Sequence, residues 1–158
     1  MAKEAKTNAM RMLDRQKVKY EALVYECDEF IDGIHCADIT GAPYEQSFKT
    51  LVMEGKSGSY YVFVVPIEKE VDRKAAAKSV GEKAVDMIHV KDITKITGYV
   101  RGGCSPIGMK KPFPVVFDEM CWEFFGDLHK RRQNRAYIES TAGRSSESNR
   151  RKACRYYS

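Results

Sequence analysis

Two runs rich in β-branched and aromatic side chains, residues 47–53 and 60–65, flank the tetrapeptide Gly55-Lys56-Ser57-Gly58. Branched and ring side chains suit a pleated, half-buried surface, so both runs read as strands. A link this short suits a hairpin. A hairpin at the centre commits the chain to a sheet, and the segments on either side decide the class of fold.

Those segments alternate in kind. Residues 3–16 offer Ala9, Met10, Met12 and Leu13 for the apolar stripe of an amphipathic helix. Residues 18–26 place Val18, Tyr20, Ala22 and Val24 at period two, a strand signal. A short helical or irregular stretch at 35–40 meets the breaker Gly41-Ala42-Pro43. Asp72 can cap a helix through Lys74-Ala75-Ala76-Ala77-Lys78 that stops near Gly81. A further short helix covers 90–97, with Gly98 as its C-terminal stop. Gly102, Gly103, Pro106 and Gly108 exclude a helix or an interior strand and make 102–108 a structured loop. Residues 114–117 read as a strand entering the core. The pattern is a mixed α/β single domain without internal repeats.

Composition narrows the function classes. The 43% apolar and 31% charged fractions are those of an ordinary globular protein. No apolar run reaches the roughly 20 residues that span a bilayer. Met1-Ala2-Lys3-Glu4-Ala5-Lys6 lacks the apolar core of a secretory signal, so the expected location is the cytoplasm. The cysteines Cys27, Cys36, Cys104, Cys121 and Cys154 are odd in number and include no C-x-x-C pair, against a disulfide framework or a thiolate zinc site. His35, His89 and His129 are isolated and read as ordinary side chains, so no metal is expected. Of the net charge of +5, residues 119–158 hold +4. Charge alone therefore does not establish a nucleic-acid partner.

Two places could carry chemistry. Lys49 and Thr50 are neighbours near the start of the first hairpin strand, so their side chains point to opposite faces. A lysine ammonium in a cleft can bind a phosphate or ribose, or hold an ester carbonyl through charge-assisted hydrogen bonds. From spacing alone, a solvated strand lysine is the commoner reading. The 102–108 loop offers closely spaced backbone N–H groups that can cradle an anion or a developing oxyanion. It is neither a Walker loop nor a dinucleotide fingerprint, and a plain structural turn fits it too. Lys110 and Lys111 follow, able to contact a polyphosphate backbone or to sit in solvent.

Taken jointly, the segments become specific. Tyr25-Glu26-Cys27-Asp28, Phe48-Lys49-Thr50-Leu51 and Gly98-Tyr99-Val100-Arg101-Gly102-Gly103-Cys104-Ser105-Pro106-Ile107-Gly108-Met109-Lys110-Lys111 resemble the YbaK family in order and spacing. Lys6-Thr7-Asn8-Ala9-Met10-Arg11 and the strand end Val64-Val65-Pro66 are similar too, and the likeness covers residues 6–119. The resemblance implies a compact mixed β-sheet flanked by helices, of the prolyl-tRNA-editing type. It implies hydrolysis of the aminoacyl ester at a tRNA 3′ end, with Cys-tRNA(Pro) the typical substrate. Lys49 would be the principal functional residue, binding and orienting substrate. Tyr25 and Gly102 would line its pocket, with Thr50, Gly103, Ser105, Pro106 and Gly108 as further substrate contacts. Arg101, Lys110 and Lys111 would touch the tRNA. No cofactor or metal is implied, and prolyl-tRNA synthetase is the candidate protein partner. The family's cysteine specificity is attributed to attack by the substrate's own thiol, which makes positioning the main lever and leaves Cys27 and Cys104 bystanders.

After Asp118 the likeness stops. The family continues into a strand ending Ser-Gly-Gly, a closing strand and a helix, which supply a pocket serine and an aspartate. Here residues from Lys130 onward are rich in Arg, Ser, Asn and Glu without periodicity, a composition expected to be disordered. We expect an editing domain at 1–119, incomplete, and an aberrant basic tail at 120–158. A reading-frame shift at or just after Glu119 accounts for it. Residues 127–136 can be encoded so that the next frame reads Ile-Tyr-Ile-Ser-Gly-Gly-Arg-Ile-Gly, at the family's distance from Asp118. Such a loss would expose a sheet edge. Two other functions stay open: a non-catalytic aminoacyl-tRNA-binding module, and action on a small-molecule ester or nucleotide.

Overall fold

Alternation along the hairpin decides what each face of the sheet must bury. In the computed structural model, which describes residues 6–20, 22 and 32–121, the hairpin strands are β1 (Phe48–Gly55) and β2 (Tyr60–Pro66). They pair antiparallel from Phe48↔Pro66 to Glu54↔Tyr60. Gly55 still belongs to β1, so the turn falls on residues 56–59 rather than on the expected 55–58, with Gly58 at φ +81°. Among the described residues, two further strands join a mixed sheet of order β3-β1-β2-β4: β3 (Val85–Met87) runs antiparallel to β1, and β4 (Val115–Phe117) runs parallel to β2. A sequence reading misses β3, since three residues are too short to show a period.

Directly opposed residues share a face. Leu51, Phe63 and Val116 therefore lie together, as do Met53 and Tyr61, with Lys49 and Val65 at the end of the same face. Helix α3 (Arg73–Val80) covers it, and its small Ala76 and Ala77 let the backbone come close. Phe63 is 0% exposed at the centre. Burying such side chains contributes roughly 1.5–3 kcal/mol each. The other face is closed as well, for Val52, Val62 and Val64 are all buried.

The helices begin and end where local chemistry dictates. Asp72 accepts N–H bonds from Lys74 and Ala75, and Gly81 closes α3 in the left-handed conformation. Helix α1 (Asn8–Arg15) is shorter than the expected 3–16, because Thr7 stops it by capping the N–H of Met10 at 3.2 Å. Its half-buried residues are the expected Ala9, Met10, Met12 and Leu13. Helix α2 (Gly33–Thr40) starts two residues before expectation because Asp32 caps it through the N–H of His35. A 3-10 turn at Val90–Asp92 leads into α4 (Ile93–Thr97), which ends at Gly98. No helix among the described residues is long and apolar enough to cross a membrane.

One expected element is corrected. Residues 18–20 and 22 belong to no strand, and the rest of the 18–26 run lies outside the described residues. Val18 and Tyr20 are half-buried beside exposed Lys19, so the period-two pattern is present without a ladder. Tyr25, Cys27 and the tail from residue 122 also lie outside the described residues. Met120 and Cys121 fall beyond the expected boundary at Glu119, yet they remain packed. Asp118 accepts the N–H of Met120, and Cys121 is 1% exposed with Sγ 3.9 Å from the Val64 carbonyl.

Candidate functional site

Lys49 is the second residue of β1, directly opposite Val65. Its position on the α3-covered face half-buries the side chain, and Nζ donates to the carbonyl of Ile67 at 3.3 Å. Burial pulls its pKa below the ordinary lysine value, while the carboxylates of Glu70 and Asp32 pull it up. Asp32 is held as a carboxylate because the backbone N–H of His35 bonds it, followed by the His35 ring. The start of α2 approaches closely here, and a Cβ on Gly33 would sit 3.1 Å from Cγ2 of Ile67. The lysine thus stands in a partly desolvated place between the exit of β2 and the head of α2. Such a cation can anchor an anion or polarise a carbonyl. Thr50 points to the opposite face, next to Val64.

The glycine loop is held rigidly by different partners. Gly98, at φ +82°, turns the chain out of α4. The hydroxyl of Tyr99 donates to the Ile107 carbonyl at 2.5 Å and accepts from the N–H of Ala9. The side-chain amide of Asn8 donates to the Gly108 carbonyl at 2.6 Å. Gly108 is at φ +74°, where a Cβ would lie 2.9 Å from the Tyr99 oxygen and 3.1 Å from the carbonyl carbon of Asn8. Ile107, 4% exposed, pins the loop to the core. Lys110 donates its backbone N–H to Thr97 and lays its stem over Gly98.

The loop spends part of its donor capacity on itself. The N–H of Gly103 bonds the Val100 carbonyl, and that of Ile107 bonds Oγ of Ser105, so neither is free for an oxyanion in this conformation. Ser105 is therefore first a structural acceptor. Arg101, Gly102 and Gly103 are exposed at the tip, Pro106 is half-buried, and Lys110 and Lys111 are exposed. Cys104 is half-buried, its Sγ 3.7 Å from the Val100 carbonyl, and burial pushes its thiol pKa up. A protonated thiol is a poor nucleophile.

Lys49 and the loop are anchored separately, and no hydrogen bond among the described residues joins them. Asn8, Tyr99 and the carboxylates near Lys49 escape a reading by spacing. Asn8 sits within the quoted Lys6-Thr7-Asn8 segment, which was the available signal. A hollow of about 260 Å³ lies elsewhere, lined by Glu54, Tyr60, Ile88, His89, Asp92, Lys95 and Ile96. It contains none of the expected site residues.

Comparison with known proteins brings these features under one heading. A family model described as an aminoacyl-tRNA editing domain matches residues 34–128. An Enterococcus faecalis protein named "Putative Cys-tRNA(Pro)/Cys-tRNA(Cys) deacylase EbsC" is 42% identical over 122 residues, covering 77% of this chain and 74% of the relative. Among solved structures, a protein described as "a putative trans-editing enzyme for prolyl tRNA synthetase" is 24% identical with a TM-score of 0.55, covering 73% of this chain and 74% of that one. A protein of undescribed function is 18% identical with a TM-score of 0.63, covering 72% and 75% of the two chains. At these identities the two structures speak for the fold alone.

Proposed function

The chain belongs to the aminoacyl-tRNA editing domain family, and on that premise we propose that it is a trans-acting deacylase that hydrolyses misacylated tRNA(Pro), with Cys-tRNA(Pro) as substrate. The observation that carries this reading is Lys49: a half-buried ammonium bonded to the Ile67 carbonyl, its charge favoured by the carboxylates of Glu70 and Asp32.

The bond to be broken joins the aminoacyl carbonyl carbon to a ribose oxygen. In the reading the family supports, the substrate's thiol sulfur bonds to that carbon as the ester C–O bond breaks, the ribose oxygen takes the proton the thiol gives up, and water then opens the released cyclic thioester to free cysteine. Lys49 would hold the ester carbonyl or ribose by charge-assisted hydrogen bonds, and Tyr25 and the loop residues would close the pocket, whereas the Thr50 side chain, on the other face of the sheet, would not reach it. The high pKa of the Cys104 thiol fits a mechanism without an enzyme nucleophile. The tRNA contacts assigned to Arg101, Lys110 and Lys111, and docking to prolyl-tRNA synthetase, belong to this proposal.

Lys49→Ala should lower cysteine release from charged tRNA by about 100-fold or more, the scale of losing one preorganised electrostatic group. Unchanged release by that variant would defeat the assignment. The tail supports a second reading. If a reading-frame shift after Glu119 removed the family's pocket serine and aspartate, the chain would bind aminoacyl-tRNA without turning it over. Sequencing the encoding DNA for Ser-Gly-Gly in the next frame, and assaying a frame-restored chain beside this one, separates the two.

A further inference from the structure

Helix α1 is tied to the glycine loop through its first residue. Asn8, Arg11 and Arg15 stand at i, i+3 and i+7 and so form one stripe along the helix. The stripe begins at the Gly108 carbonyl and runs roughly 10 Å away from it, at 1.5 Å per residue. Both arginines are exposed. The single carboxylate of the helix, Asp14, is taken up by Lys6 at 2.5 Å. Among the described residues, no ion pair engages Arg11, Arg15, Lys110 or Lys111. No acidic residue occurs between Gly98 and Phe117 either. Two elements far apart in sequence are thus tied together at Asn8 and Gly108, each carries exposed cations, and the one carboxylate of α1 is already paired.

We propose that this side of α1 binds the sugar-phosphate backbone of the tRNA arm whose 3′ end enters the glycine loop, with Arg11 and Arg15 each taking a phosphate. This rests on the editing reading of the loop. An arginine fork suits phosphate oxygens, and a stripe aligned by the Asn8–Gly108 bond would guide the RNA into register with the site. A cation at the end of a helix also stabilises the helix itself. The test must therefore read something that helix stability does not move.

That readout is the salt dependence of binding uncharged tRNA to the full chain, between about 50 and 200 mM salt. Arg11→Gln with Arg15→Gln should flatten the log–log slope by about two, one for each phosphate lost. Affinity at about 0.15 M salt should drop roughly five-fold per arginine, since each contact scales as salt to about the power −0.9. Arg11→Lys with Arg15→Lys keeps the charge and should keep most of the slope. Lys78→Gln, an exposed cation on α3, should leave the slope as it was. A wild-type slope in the Gln variant, an equal loss in the Lys and Gln variants, or tRNA binding by the wild type that ignores salt would each overturn the proposal. A chain that binds tRNA with this dependence yet never releases cysteine would defeat the editing function and leave the α1 surface standing. A chain that deacylates while its slope ignores α1 would do the reverse.

Discussion

Lys49 shows how one residue is held between opposing demands. Its strand position puts a long cationic side chain at the end of an apolar face, where desolvation disfavours charge. Glu70 and Asp32 offset part of that cost. An NMR titration of the lysine side chains should find Lys49 losing its proton below the ordinary lysine value of 10.5. The sign for stability follows. Folding disfavours the charged form, so Lys49 opposes the fold while it is protonated. That penalty fades as pH rises through its folded pKa toward the unfolded one. A Lys49 that loses its proton at or above that value would remove the basis for a partly desolvated site.

Gly108 is a second single-residue test. Alanine there would need a left-handed φ of +74° and would bring Cβ within 3.1 Å of backbone on α1. We expect Gly108→Ala to cost about 2 kcal/mol and to lower activity with it. Gly58→Ala meets nothing within 4 Å at φ +81° and should cost only about 1 kcal/mol, from the backbone alone. Equal shifts in thermal midpoint for the two would mean that the α1–loop contact contributes nothing.

At the scale of elements, α3 shows how much is settled locally. Asp72 caps its start with two hydrogen bonds, Gly81 ends it, and its alanines face the sheet. Asp72→Ala should lower stability by about 1 kcal/mol, read as a lower urea midpoint at unchanged slope. The hairpin is equally legible, because its branched residues and its turn both lie within one short window. The Val18–Tyr20 run is the counterexample. Its alternation is real, but a strand exists only when another strand accepts its hydrogen bonds. Neighbouring β3 reverses the case, since its three residues join the sheet only because the end of β1 is there to pair with Met87, Asp86 and Val85.

For the molecule as a whole, both faces of one small sheet are buried, so stability concentrates on a few side chains. Phe63 is 0% exposed in the α3-covered cluster. Phe63→Ala should remove about 3–5 kcal/mol, a large share of the roughly 5–15 kcal/mol that holds a domain together. Urea unfolding would check it, and a loss under about 1 kcal/mol would mean that this cluster is not the main core. The charge distribution is also a property of the whole. The first 118 residues are nearly neutral by count, yet folding ties α1, which carries Arg11 and Arg15, to the loop that Lys110 and Lys111 follow.

The residues alone determined much of the punctuation of this chain: Asp72 as a cap, the glycines at 41, 81 and 98 as stops, the hairpin and the glycine loop. Each depends on hydrogen bonds and steric limits spanning only a few residues, so a short window contains the whole cause. Family membership was legible too, because several such windows recur in a fixed order. Only the tertiary structure decided the surroundings of Lys49, whose partner Ile67 is 18 residues away, and the docking of Asn8 on Gly108 across 100 residues. Those contacts depend on how distant segments meet once the sheet has formed, and no local pattern encodes that meeting.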